Sequence, residues 1–121
     1  MTPFILKHKT PTETGFRAVM APDMESAIYT AHFPGNPVTP GACLVEAVCN
    51  LMERHCECKL RLRELKNVKF ISVIVPDRES KVVFDVVCCN VPDSPITAKA
   101  TVNNGDVVCA KMSLVFERKD H

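Results

Sequence analysis

Between Ala42 and about Arg54, the apolar residues Leu44, Val45, Ala47, Val48, Leu51 and Met52 cover more than one face of a helix. A helix that is apolar on several sides must be covered from several directions. The chain has 121 residues, enough for one core of ordinary size. This helix is therefore expected at the centre of a single domain spanning residues 1–121. Pro40-Gly41 stands just ahead of it, a turn that releases the chain into a helix with several backbone N–H groups still free.

The material to cover the helix lies downstream. Residues 67–75, 81–89, 96–102 and 107–116 are rich in β-branched and aromatic side chains and read as four successive strands. Pro76-Asp77, the segment 91–95 and Asn103-Asn104-Gly105-Asp106 punctuate them, with Asn104-Gly105 favouring a hairpin turn. An antiparallel meander is predicted. Upstream, Gly15 to Met20 and Met24 to Thr30 read as two short strands about Ala21-Pro22-Asp23. The sum is an α+β domain, an antiparallel β-sheet wrapped around a long central helix. Such a sheet leaves edges exposed, and pairing with a second copy extends it.

Composition excludes several classes. Fifteen Lys+Arg against fourteen Asp+Glu give a formal charge of +1, which is no footprint for non-specific nucleic-acid binding. No apolar run approaches the ~20 residues that cross a bilayer, and the first residues lack a signal-peptide layout, so no membrane insertion and a cytoplasmic location are expected. Seven cysteines, an odd number, argue for reduced thiols rather than a disulfide framework. Adjacent Cys88 and Cys89 are expected to serve as small apolar core residues.

Chemistry is concentrated ahead of the helix. The segment His32-Phe33-Pro34-Gly35-Asn36-Pro37-Val38-Thr39-Pro40-Gly41 holds three of the chain's nine prolines and two of its four glycines, so it is a shaped loop. His32 brings an imidazole with an ordinary pKa of ~6.5. Glu46, five residues beyond Gly41, brings a carboxylate among apolar neighbours. Burial favours its neutral acid, whereas an imidazolium or the positive helix end favours its anion; the residues present leave both open.

Taken together, His-Phe-Pro-Gly-x-Pro-x-x-Pro-Gly followed by x-x-x-x-Glu-Ala resembles the motif of the hot-dog-fold β-hydroxyacyl-(acyl carrier protein) dehydratases. The likeness continues through Asn67 to Asp77 and the hairpin from Ala98 to Ala110, and so covers roughly residues 24–118. It implies that His32 and Glu46 are catalytic, that the Gly41 N–H meets the thioester carbonyl, and that Phe33, Pro40, Ala42 and Asn50 border the substrate, with Pro34, Gly35 and Pro37 shaping the loop. It also implies a homodimer whose two protomers contribute the histidine and the carboxylate to one site, further assembly into hexamers as a trimer of dimers, an acyl carrier protein bearing a phosphopantetheine-linked acyl chain as partner, and neither cofactor nor metal.

The implied reaction is dehydration of 3-hydroxyacyl thioesters to trans-2-enoyl thioesters, in fatty-acid or related lipid or polyene synthesis. It requires removal of an α-proton and protonation of a poor leaving group, work for one base and one acid. Two alternatives share the fold: an acyl thioesterase, and a non-catalytic acyl-thioester-binding subunit. Leu44, Val48, Phe70, Ile71 and Val73 are candidate walls for an acyl tunnel and equally ordinary core residues. Lys59, Arg61 and Arg63 alternate with leucines and are candidates for one basic strand face that receives the carrier. His55-Cys56-Glu57-Cys58 lacks the second ligand pair of a zinc motif. Cys43 near the helix start is either a thiol of lowered pKa or a buried inert one. Three positions depart from the family pattern: the segment before the motif is short, Ala31 replaces a frequent glycine, and Asn50 stands where glutamine is common.

Overall fold

The computed structural model describes residues 2–31, 35 and 38–119. Along the chain run β1 (Phe4–Pro11), β2 (Gly15–Pro22), α1 (Ala27–Ala31), α2 (Gly41–Cys56), β3 (Leu60–Phe70), β4 (Val82–Cys89), β5 (Ile96–Asn104) and β6 (Val107–Arg118). The strands form one sheet in the order β1-β2-β4-β5-β6-β3, and every neighbouring pair is antiparallel.

Strands β4, β5 and β6 show the period-two alternation the sequence predicts. Val82, Phe84 and Val86, then Ile96, Ala98, Ala100 and Val102, then Ala110, Met112, Leu114 and Phe116 are all buried. They meet Leu44, Ala47, Val48, Leu51 and Met52 of α2 in one cluster. Each large apolar side chain so buried contributes about 1.5–3 kcal/mol. The β5–β6 hairpin closes through Gly105-Asp106, with Asn104 paired to Val107 and Gly105 at φ +63°, so the turn lies one residue later than Asn104-Gly105.

The expected four-strand meander is corrected in two ways. Strand β3 pairs with β6 rather than β4, at the far edge of the sheet. It also runs from Leu60 to Phe70 instead of 67–75, because register shifts between Leu62 and Glu64 and between Lys66 and Lys69 break the alternation that would have marked it. The run Met24–Thr30 is not a strand either. Asp23 accepts the Glu25 N–H at 3.1 Å, and the Ser26 hydroxyl accepts the Ile28 N–H at 3.2 Å. These side-chain bonds turn the backbone into the short helix α1. The hairpin partner of β2 is β1, whose own shift between Leu6 and His8 hides its period.

Helix α2 has sixteen residues, a length of about 24 Å at 1.5 Å per residue, so it is not notably long. It ends at Glu57, a non-glycine residue in the left-handed region with φ +53°. The Glu53 side chain accepts the Leu60 N–H at 2.8 Å and ties that end to β3. Cys88 packs in part against the core, but Cys89 is exposed, contrary to the core role expected of both. The seven cysteines are free thiols.

Candidate active site

The backbone at Pro40 is extended (φ −61°, ψ 142°), and as N-cap of α2 it offers no side-chain cap bond to the first turn. The Cys43 N–H donates to the Pro40 carbonyl at 3.0 Å. No acidic residue occupies that first turn, so the partial positive charge of the helix start is available to an oxyanion. Gly41 lies under the ring of Phe70, and a Cβ there would fall 2.8 Å from the ring tip. Only glycine allows this approach without displacing the ring.

A slot of about 410 Å³ opens at this point, with Gly41, Ala42 and Leu44 on one wall and Phe70, Ile71 and Val73 on the other. Four of the five expected tunnel residues therefore line one cavity. Val48 does not; it is fully buried in the core. Phe70, Ile71 and Val73 are 54%, 53% and 66% exposed in the single chain, so they are not the core residues their pattern also allowed. They form an apolar rim.

Glu46 stands on α2 one turn past Ala42, half-buried. The Cys43 thiol, on the same helix, is pushed up in pKa first by burial and then by the negative charge of Glu46. That corrects the lowered-pKa alternative for Cys43, which is a buried inert thiol. Burial, Glu53 and Glu46 likewise push Cys49 up to about 11. Asn50 is exposed and lines a different cavity of about 340 Å³ with Phe4, Met20 and Arg54. Within one chain it is not brought to the slot.

His32 and Phe33, with Pro34, Asn36 and Pro37, lie outside the described residues. Both flanks of their loop are described, and both are held. Tyr29 on α1 is 3% exposed and its hydroxyl meets the Thr39 hydroxyl at 2.9 Å. The Thr39 N–H donates to the Ile74 carbonyl at 2.8 Å, behind the slot. Burial raises the Tyr29 pKa, partly offset by the bond to Thr39. Sequence reading missed this pair, because Tyr29 fell in a run taken for a strand and Thr39 showed only as one position of the loop.

Arg61 is held by Glu117 at 3.2 Å. Lys59 continues the ladder just ahead of β3, its carbonyl accepting from the Lys119 N–H at 3.0 Å, and the register shift after Leu62 interrupts the alternation at Arg63. His55 accepts from Lys9 Nζ at 3.2 Å and packs on Phe16, with 4.7 Å between ring centroids. Among the described residues no group of His, Cys, Asp and Glu is arranged to hold a metal ion.

Comparison with known proteins places this geometry. The model of the ApeI-like family, described as ApeI dehydratase, matches residues 8–96. The chain belongs to the ApeI-like dehydratase family. The FabZ 3-hydroxyacyl-[acyl-carrier-protein] dehydratase of Clostridium acetobutylicum is 29% identical to this ApeI-like chain over 113 residues, covering 86% of the chain and 80% of that protein. Among solved structures, the dehydratase heterocomplex ApeI:P from Xenorhabdus doucetiae superposes with a TM-score of 0.74 at 16% identity, over 96% of this chain and 98% of its counterpart. A Streptococcus mutans protein bound to acetyl CoA gives 0.63 at 9% identity, over 96% and 88%. These likenesses establish the hot-dog fold, here as a six-stranded antiparallel sheet carrying a helix of sixteen residues. Among the described residues no helix is long and apolar enough to cross a membrane.

Proposed function

We propose that the chain removes water from 3-hydroxyacyl thioesters carried by an acyl carrier protein, giving trans-2-enoyl thioesters, in fatty-acid or related lipid or polyene synthesis. The observation that carries this reading is the family match across residues 8–96, which contains the whole motif from His32 through Gly41 to Glu46. The slot at the start of α2 supports it.

In this reading His32 takes the α-proton and electron density moves onto the thioester oxygen. The Gly41 N–H at the start of α2 stabilises that oxygen. Glu46 holds the 3-hydroxyl and protonates it as the C–O bond breaks, so water leaves. Phe33, Pro40 and Ala42 shape the acyl path, and Asn50 borders it from the partner's side. No cofactor is called for.

A homodimer completes the site, His32 of one protomer acting with Glu46 of the other, with a trimer of such dimers as the larger assembly. Strand β3 supports the pairing: among the described residues it is bonded on one side only, to β6, and it ends in the apolar rim. The cytoplasm is the proposed compartment.

Incubation of the purified protein with 3-hydroxyacyl carrier thioesters, followed by mass, tests the activity. Loss of 18 mass units, as the ~18 Da of one water expelled in acid–base elimination, supports it. Free acid points to a thioesterase and unchanged ligand to a binding subunit; either outcome overturns it.

A further inference from the structure

Tyr29 and Thr39 form a buried polar pair at positions where apolar side chains of the same shape would pack as well. Their hydroxyls meet at 2.9 Å. A phenylalanine and a valine would fill the same space without taking two hydroxyls out of water. The pair therefore has a reason beyond packing, and its place in the fold supplies one. Thr39 lines the slot together with Gly41, and Tyr29 is not among the lining residues.

Tyr29 is tied back to the start of β1 by main-chain bonds. The Asp23 N–H donates to the Pro3 carbonyl at 2.8 Å, the Ser26 N–H to the Asp23 carbonyl at 2.9 Å and the Tyr29 N–H to the Ser26 carbonyl at 3.1 Å. Thr39 is then held at two points. Its side chain meets the Tyr29 hydroxyl, and its N–H donates to the Ile74 carbonyl at 2.8 Å. From Thr39 to the Gly41 N–H the chain has little freedom. The Pro40 ring locks φ near the observed −61°, and a residue before proline is confined to extended backbone. The Gly41 N–H therefore points where Thr39 directs it. It belongs to the first turn of α2, whose N–H groups have no acceptor within the helix.

We infer that Tyr29 is a positioning residue that acts through Thr39: the hydroxyl pair sets the direction of the Gly41 N–H into the slot. The inference rests on the dehydratase reading above, in which that N–H receives the thioester oxygen. An oxyanion donor is effective when its aim is fixed before charge develops, because turning a dipole during the reaction adds to the barrier. Without the Tyr29 hydroxyl, Thr39 keeps its bond to Ile74 but loses its second fixed point. The donor is then still present and poorly aimed. The slot walls still bind the substrate, so the loss falls on turnover.

Tyr29→Phe, Thr39→Val and Thr39→Ser test the inference in the full chain, each checked for a native circular dichroism spectrum and assayed well below its melting temperature. On the 3-hydroxyacyl carrier thioesters of the activity assay, Tyr29→Phe and Thr39→Val are expected to lower kcat roughly tenfold, part of the ~10²–10³ lost when an oxyanion donor is removed outright. KM should stay within about twofold. Thr39→Ser, which keeps the hydroxyl, should retain most of the wild-type kcat. The limbs of the pH–rate profile should not move, since Tyr29 transfers no proton. The deciding readout is the infrared carbonyl stretch of a bound saturated acyl carrier thioester, isotope-labelled at its carbonyl, which can neither lose nor add water. In the wild type the stretch should lie at lower wavenumber than in solution, and in Tyr29→Phe and Thr39→Val it should return toward the solution value. A residue that only stabilises the fold would leave it in place. An unchanged stretch or kcat in the folded variants, a displaced pH limb, or a Thr39→Ser variant as impaired as Thr39→Val would each overturn the positioning role. A wild type that expels no water from its substrates would sink the dehydratase reading instead, with the carbonyl stretch still deciding whether Tyr29 aims the Gly41 N–H.

Discussion

The Tyr29 hydroxyl and the Thr39 hydroxyl meet at 2.9 Å in a buried position, closing the chain on itself across the loop that contains His32. Thr39 is 6% exposed and also bonded through its N–H to Ile74. One side-chain bond thus joins α1, the approach to α2 and the wall of the slot.

Tyr29→Phe leaves the Thr39 hydroxyl buried without this partner. A loss of about 1–3 kcal/mol is expected from urea unfolding, and Thr39→Val alone should cost a similar amount. The double variant should cost less than the sum of the two, since both remove the same bond. Strict additivity would mean that the two hydroxyls do not cooperate.

In the proposed mechanism His32 and Glu46 transfer protons, and His32→Ala and Glu46→Gln each remove one of those groups. Turnover is expected to fall roughly 10²–10⁴-fold in each, with circular dichroism unchanged. Folded variants that turn over at near-normal rates would refute the assigned roles.

Gly15 admits no side chain. A Cβ there would lie 2.0 Å from the Val86 carbonyl oxygen, a backbone atom of the neighbouring strand, so β2 and β4 would have to separate. Gly15→Ala is expected to destabilise by about 3 kcal/mol or more, read as a lower urea midpoint.

Glu57 shows the opposite case. It holds a left-handed backbone at the end of α2 with φ +53°, a conformation that strains a residue bearing a Cβ. Glu57→Gly should stabilise the fold by roughly 1 kcal/mol. A lowered melting temperature would show that the side chain matters more than the backbone strain.

His55 gives the fold a sensitivity to acid. Its pKa is lowered, first by burial and then by the nearby Lys9 charge. The unfolded chain therefore binds the proton more readily than the folded one. Nothing is lost above the ordinary histidine pKa of 6.5. As pH falls through that value toward the lower folded pKa, stability declines. Melting temperatures measured from pH 7.5 to 5 should fall less steeply in His55→Gln than in the wild type; parallel curves would exclude this contribution.

The elements legible in the sequence are those whose geometry is regular. Phe84 and Val86, or Ala98 and Ala100, announce their strands because every second residue is buried. Leu44, Val48, Leu51 and Met52 announce α2 because the core reaches more than one side of it. Strands β1 and β3 were obscured by register shifts near Leu6 and Asn67, which move side chains to the wrong face for a period-two pattern. At the site, Gly41 and Glu46 stand out through the motif. The Tyr29–Thr39 bond does not, because it depends on where two separate segments meet in space.

The placement of β3 also bears on how the protein is made. Among the described residues β3 is bonded to β6 alone, with Leu60 opposite Arg118, so during translation β3 waits without that partner until β6 has left the ribosome. Such long-separation pairing slows folding. The interval before β6 emerges is when this nascent strand is most open to mispairing with its neighbours.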